Sequence, residues 1–204
     1  MIKPIQLLEK YFKPGSEALY VVTLHSSAVK ELSLKIAQKN PQFNVNTKLL
    51  EQAAMLHDIG IVKTNAPDLG CFGEFPYICH GYLGREILEA EGLHDIAPFC
   101  ERHTGTGITV EEIIKHTLPI PNREMMPVTI EEKILCYADK FFSKSGKNLT
   151  HPKKLKRIYQ NLIRYGEDKI RRFDEFIGMF GIYYVYDWVE EDVDIEFGKR
   201  SPEV

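Results

Sequence analysis

Six side chains of this 204-residue chain are of metal-binding type and sit at apolar or glycine-flanked positions: His25, His57, Asp58, His80, His103 and Asp139. His25 shares a helical stripe with Val29 and Leu32. Asp139 lies in "LCYADKFF", four residues after Leu135 and among large apolar neighbours. An ionised aspartate is costly there unless it is paired or binds a cation. Neutral imidazole with carboxylate suits Mn, Fe, Co, Ni or Zn better than Mg or Ca, which prefer all-oxygen shells. Four histidines and two aspartates exceed what one catalytic metal uses, because positions stay open for water and substrate. They suit two divalent transition-metal ions bridged by a carboxylate, the arrangement that clamps both oxygens of an in-line displacement. His57 and Asp58, adjacent at a helix end, can offer one ligand to one ion and a bridge to both. One such residue alone decides nothing. A lone histidine on an apolar face is more often a core residue, and Asp139 alone could pair with Lys140 or an arginine.

The elements that must position these residues read as helices. "LHSSAVKELSLKIAQKN" puts Leu24, Ala28, Val29, Leu32 and Ile36 on one stripe, ended by Asn40-Pro41. "NTKLLEQAAMLHDIG" follows, with Asn46 or Thr47 as N-cap and Gly60 as the C-terminal stop. A loop rich in Gly, Pro and aromatics runs from roughly Val62 to Ile78, and its Phe72, Phe75 and Tyr77 join two ligand segments. "HGYLGREILEAEG" turns Leu83, Ile87 and Leu88 inward. In "HDIAPFCERH" Asp95 is the natural N-cap of a short helix, which gives the second His-Asp pair, His94-Asp95, a structural reading. "TGTGITVEEIIKHT" leads into another helix, and "TIEEKILCYADKFFSK" begins with a Thr129/Glu132 capping box. A single basic amphipathic helix spans "HPKKLKRIYQNLIRYGEDKIRRFDEFIGMF", before the acidic and aromatic tail "YYVYDWVEEDVDIEF". The expected class is all-α, with a five-helix core over roughly residues 20–145. Residues 1–150 form the metal-binding domain, and 151–204 form a helix and tail packed on it or extending from it.

Composition narrows the partners. A formal net charge of -3 gives no general attraction for nucleic acid or anionic lipid, so an anionic substrate must be held by local charge. Cys71, Cys79, Cys100 and Cys136 are scattered and read as small buried hydrophobes. The N-terminal stretch lacks the apolar core and cleavage site of a signal peptide, and no long apolar run occurs, so a cytoplasmic location is expected.

The order His, His-Asp, two further His and Asp resembles the HD superfamily of metal-dependent phosphohydrolases. The segments that carry the likeness are "LHSSAVKEL", "AAMLHDIG", "HGYLGREIL", "ERHTGTGIT" and "TIEEKILCYADK". HDIG as a tetrapeptide is a weak signal, but five segments in this order are a strong one. The resemblance implies that His25, His57, Asp58 and Asp139 hold one metal, with Asp58 bridging to a second held by His80 and His103. It also implies an all-α fold, in agreement with the periodicity. Some relatives carry a lysine directly after the HDIG glycine, where this chain has Ile61; Lys63 lies two residues beyond.

On this reading the chain is an enzyme that cleaves a nucleotide or other small phosphate ester with a metal-activated water, Asp58 being the catalytic carboxylate. Arg102, Lys140 and Lys63 are the candidate grips for phosphate oxygens. Tyr82 and Tyr137 lie near ligand segments. The same six ligands serve HD-fold mixed-valent di-iron oxygenases, and a regulatory or partner-docking module with an intact metal site is a third reading. The basic helix would serve that third reading, or pack on the core with a solvated charged face. A small phosphorylated molecule is the expected partner, with neither membrane nor nucleic acid; an oligomer is left open.

Overall fold

The computed structural model describes residues 3–182 and 185–186, without the side chain of Lys147. Most of the tail over residues 183–197 therefore lies outside the described residues. The protein is all-α. Nine α-helices occur among the described residues, beside one two-stranded hairpin. None of these helices is long and apolar enough to cross a membrane.

The frame begins with α1 (Pro4–Tyr11) and the central α2 (Glu17–Lys39), whose N-cap Ser16 accepts from the Leu19 N–H. Val22, His25, Val29, Leu32 and Ile36 lie on the buried stripe of α2. α3 (Thr47–Leu56), capped by Asn46, and α7 (Ile130–Asp139) pack against it. α4 (His80–Ala90) runs beside α5 (Ala97–Arg102). α6 (Val110–His116) and α7 both open with the full capping box, Thr109/Glu112 and Thr129/Glu132.

Gly60 does not end α3 as a left-handed cap. The helix stops at Leu56, and Ile59–Lys63 forms a 3-10 turn. A Cβ on Gly60 would stand 2.0 Å from the His80 carbonyl oxygen and 2.4 Å from the Gly84 nitrogen. The glycine therefore serves close approach: it lets the turn after the His57-Asp58 pair lie against the first turn of α4. The loop that follows folds into a hairpin of β1 (Asn65–Ala66) and β2 (Cys71–Phe72), with Phe72 at its exposed edge.

The N-cap assigned to Asp95 is also corrected. α5 is preceded by Ile96 without a side-chain cap. The Ile96 and Ala97 N–H groups donate instead to the Leu93 carbonyl, and Pro98 has no N–H to satisfy. His94 and Asp95 are exposed.

The expected single helix over 151–180 is two: α8 (Leu155–Leu162) and α9 (Glu167–Phe180). A 3-10 turn and Gly166, at φ +129°, break it, in a backbone region that favours glycine. The break lets α9 lay Phe173, Phe176 and Phe180 around Tyr137, with ring centroids 5.5, 6.1 and 5.7 Å away. These rings belong to one core shared with α2, α3 and α7. Exposed Lys154, Lys156, Arg157, Arg164 and Arg171 form the solvated face.

Candidate metal centre

Five helices bring the six candidate ligands to one place. His25 comes from the middle of α2, and His57 and Asp58 from the end of α3. His80 is the first residue of α4, His103 follows α5, and Asp139 is the last residue of α7. All six are buried, the most accessible being Asp139 at 8%. The ligand atoms fall into two groups that share Asp58. In the first, His25 Nε2 stands 3.3 Å from Asp58 Oδ2 and 3.0 Å from Asp139 Oδ1. His57 Nε2 stands 3.1 Å from Asp58 Oδ2 and 3.6 Å from Asp139 Oδ1. In the second, His80 Nε2 and His103 Nε2 stand 3.6 and 3.5 Å from Asp58 Oδ1, and 3.2 Å from each other.

A metal fits these donors in spacing and in protonation. Atoms each ~2.1 Å from one ion would lie about 3.0–3.4 Å apart in octahedral or tetrahedral arrangement; the observed separations centre on that range. The Nδ1 hydrogens on the imidazoles point away from the shared centre. The Nδ1 of His57, His80 and His103 points at a main-chain carbonyl, of Ala54 (2.7 Å), Tyr77 (2.7 Å) and Phe99 (3.2 Å) respectively. A carbonyl accepts only, so Nδ1 carries the hydrogen, and in the neutral rings of His80 and His103 Nε2 carries a lone pair. His80 and His103 therefore face each other lone pair to lone pair, with no hydrogen between them. Asp58 Oδ1 faces those two lone pairs and is buried without a hydrogen-bond partner among the described residues. Converging buried acceptors of this kind call for a cation.

The electrostatics agree with neutral imidazoles at the second group. Burial, reinforced by the charge His103 would carry, pushes His80 down to about 3, and burial lowers His103 as well. At His57 burial opposes the charge, but Asp58 and Asp139 prevail and raise it to about 9. Burial likewise works against the ionised forms of Asp58 and Asp139. His57 and Lys144 hold Asp58 well below the ordinary carboxylate range, and Lys140 with His25 and His57 does so for Asp139.

Lys140 Nζ pairs with Asp139 Oδ2 at 2.8 Å and donates to the His103 carbonyl at 3.3 Å. Arg102 is paired elsewhere, Nη1 donating to Glu132 Oε1 at 2.7 Å. Lys63 is exposed at the end of the 3-10 turn, where its backbone carbonyl accepts from Phe75. Tyr137 is a core residue whose hydroxyl donates to the Gly181 carbonyl, and Tyr82 packs with Cys79 and Leu83 in a second cluster. Cys79 turns its thiol to the Pro119 carbonyl.

Sequence reasoning missed Lys144. Its ammonium stands 2.9 Å from Asp58 Oδ2 and 6.0 Å from the centroid of Tyr77, whose ring stacks on His80. Lys144 lies in "FFSKSGK", a segment of ordinary surface composition, and only its spacing of five after Asp139 hinted at the site.

A family model described as "HD domain" matches residues 22–143, which contain all six ligands. An uncharacterized protein of Methanocaldococcus jannaschii is 38% identical over 121 residues, 58% of this chain and 64% of that protein. A tRNA (cytidine(56)-2'-O)-methyltransferase of Thermoplasma volcanium is 35% identical over 167 residues, 81% of this chain and 43% of the enzyme. Its counterpart in Picrophilus torridus is 36% identical over 124 residues, 60% of this chain and 32% of that protein. The chain thus spans less than two thirds of each of these relatives. No solved structure matches it.

Proposed function

Because this chain belongs to the HD domain family, we propose that it is a metal-dependent phosphohydrolase acting on a nucleotide or another small phosphate ester. The observation that carries the reading is the pair of donor groups that share Asp58, flanked by two ammonium groups. His25, His57, Asp58 and Asp139 would hold one divalent transition-metal ion, and His80 and His103 a second across Asp58. The chemistry such ions supply is Lewis acidity toward phosphoryl oxygens and toward water.

The rest is the work of the chain's own residues. Asp58 presents Oδ2 to one donor group and Oδ1 to the other, so one carboxylate sets the spacing of both. On this reading Asp58 is the catalytic carboxylate, which would orient the metals and accept the proton of the attacking water. Lys140 and Lys144 supply the positive charge that a phosphate ester needs beside the metals, a task the overall charge of -3 cannot perform. With Arg102 committed to Glu132, they are the cations nearest the ligands among the described residues. The aromatic ring of Tyr77, stacked on His80 at 4.7 Å, offers a face to a base or sugar. The methyltransferase names describe proteins of which this chain spans under half, and methyl transfer is not part of the reading.

The test is inorganic phosphate release from a panel of nucleotides and phosphate esters. The protein would be reconstituted with Mn²⁺, Fe²⁺, Co²⁺ or Ni²⁺. Metal-dependent release that falls to the blank in Asp58→Ala is the expected result. No release from protein shown to hold metal would overturn the reading for those substrates and direct attention to O₂ consumption by the anaerobically prepared iron form.

A further inference from the structure

We propose that Lys140 and Lys144 form a subsite for a second phosphate group, so that the preferred ligand carries at least two phosphates. The inference rests on the phosphohydrolase reading and sharpens its substrate class.

The two ammoniums are held at different carboxylates of the cluster. Lys140 sits on Asp139 Oδ2 at 2.8 Å and is tethered to the His103 carbonyl. Lys144 sits on Asp58 Oδ2 at 2.9 Å, with Tyr77 on its flank. Both side chains are largely withdrawn from solvent, at 12% and 14% exposure. Without metal, Asp58 and Asp139 each hold one of the two ammoniums. The carboxylates are also the anionic ligands that a metal needs. Each carboxylate charge committed to a metal ion is withdrawn from its lysine, and a poorly solvated ammonium without a counter-ion is costly. A phosphoryl group seated on the metals is already matched by the metal charge. The lysines therefore require an anion of their own, next to the first.

A single neutral or monoanionic substituent would leave the Lys140 and Lys144 ammoniums incompletely compensated. A second phosphate, in a diphosphate link or on a neighbouring hydroxyl, offers several oxygens to Lys140 and Lys144 as charge-assisted acceptors.

The experiment is a calorimetric titration of the metal-loaded, desalted wild-type protein with methylenediphosphonate and, separately, methylphosphonate. Metal content is measured after each run to exclude stripping by the diphosphonate. Neither compound is hydrolysed, so the outcome does not depend on turnover. The expected result is affinity for the diphosphonate at least about tenfold higher, the factor that one additional charge-assisted contact brings. Lys144→Met and Lys140→Met should each erase most of that advantage, the ratio of the two affinities falling toward one. Equal affinity of the two compounds for the wild type would overturn the subsite, whatever the variants do. So would an advantage that survives in both variants. A protein that binds the diphosphonate as expected yet releases no phosphate from any ester would retain the subsite and lose the hydrolase. An active hydrolase with equal affinities would do the reverse.

Discussion

His80 and His103 face each other through Nε2 atoms 3.2 Å apart, and both Nδ1 hydrogens are directed to main-chain carbonyls. Replacing either histidine removes a donor that only the second group uses. His80→Ala should therefore lower bound Mn²⁺ or Fe²⁺ by about one ion per chain in elemental analysis, with the group around His25 still filled. Retention of the full complement would show that the two groups are not separate positions. Gly60 makes a second prediction at this scale. Its Cβ would fall 2.0 Å from the His80 carbonyl oxygen. Gly60→Ala must push the start of α4 away, at about 1–3 kcal/mol in urea unfolding. An unchanged unfolding midpoint would mean that α4 yields freely. The convergence of the six ligand types was legible in the sequence, because each is costly or conspicuous where it stands: an aspartate among aromatics, a histidine on an apolar stripe. Lys144 was not legible, since a lysine in a Ser/Gly-rich segment is ordinary until the fold sets it 2.9 Å from Asp58.

Among the elements, α9 reaches furthest from its own sequence neighbourhood. Lys169, 7% exposed, donates to the Gly107 carbonyl at 2.8 Å and pairs with Glu112 Oε1 at 2.7 Å. Arg172 donates to the same carbonyl at 3.1 Å. Gly107 ends the turn that follows His103, so a helix outside the matched family segment braces the loop behind a ligand. Lys169→Met should cost about 1–3 kcal/mol, the range for depriving buried acceptors of a partner. It should also weaken metal binding at the His80/His103 group. Acid sensitivity gives a sharper readout. Burial alone would raise Glu112, but Asp168, Lys169 and the Thr109 N–H bring it from 4.5 down to about 2. A depressed carboxyl contributes stability that is present above its unfolded value of 4.5 and is lost as pH falls through about 2. The stability gap between wild type and Lys169→Met should therefore close between those two pH values. A gap constant across that window would place the effect in packing rather than in the ion pair. Helix existence was legible from apolar spacing, including both capping boxes. The break at Gly166 was not, because the apolar period of "LIRYGEDKI" continues through it.

For the whole molecule, the aromatic seam between α7 and α9 decides what can be cut away. Tyr137 and Phe141 are fully buried, and Phe173, Phe176 and Phe180 supply one wall of their surroundings. A chain ending at residue 150 would keep every candidate ligand and uncover that seam. Such a fragment should bind a hydrophobic dye and lose cooperative thermal unfolding, whereas the full chain should unfold in one transition. Cooperative unfolding of the fragment would show that the C-terminal helices are an addition to a self-sufficient core. The hydrophobic pattern made the amphipathic character of this region readable, but not its partner, since the seam joins residues about forty positions apart.

The main-chain carbonyls of Ala54, Tyr77 and Phe99 orient three of the four candidate imidazoles, each from three or four residues upstream. No substitution that spares the backbone can delete such an acceptor, because every amino acid supplies one. Side-chain scanning would therefore not detect these three acceptors, and would understate how closely the rings are held. The vulnerability lies in register. Removing a single residue between Ala54 and His57, or between Phe99 and His103, would rotate the ring away from its carbonyl while leaving composition almost unchanged. Insertions or deletions in those short spacers are thus the changes that this part of the centre cannot absorb.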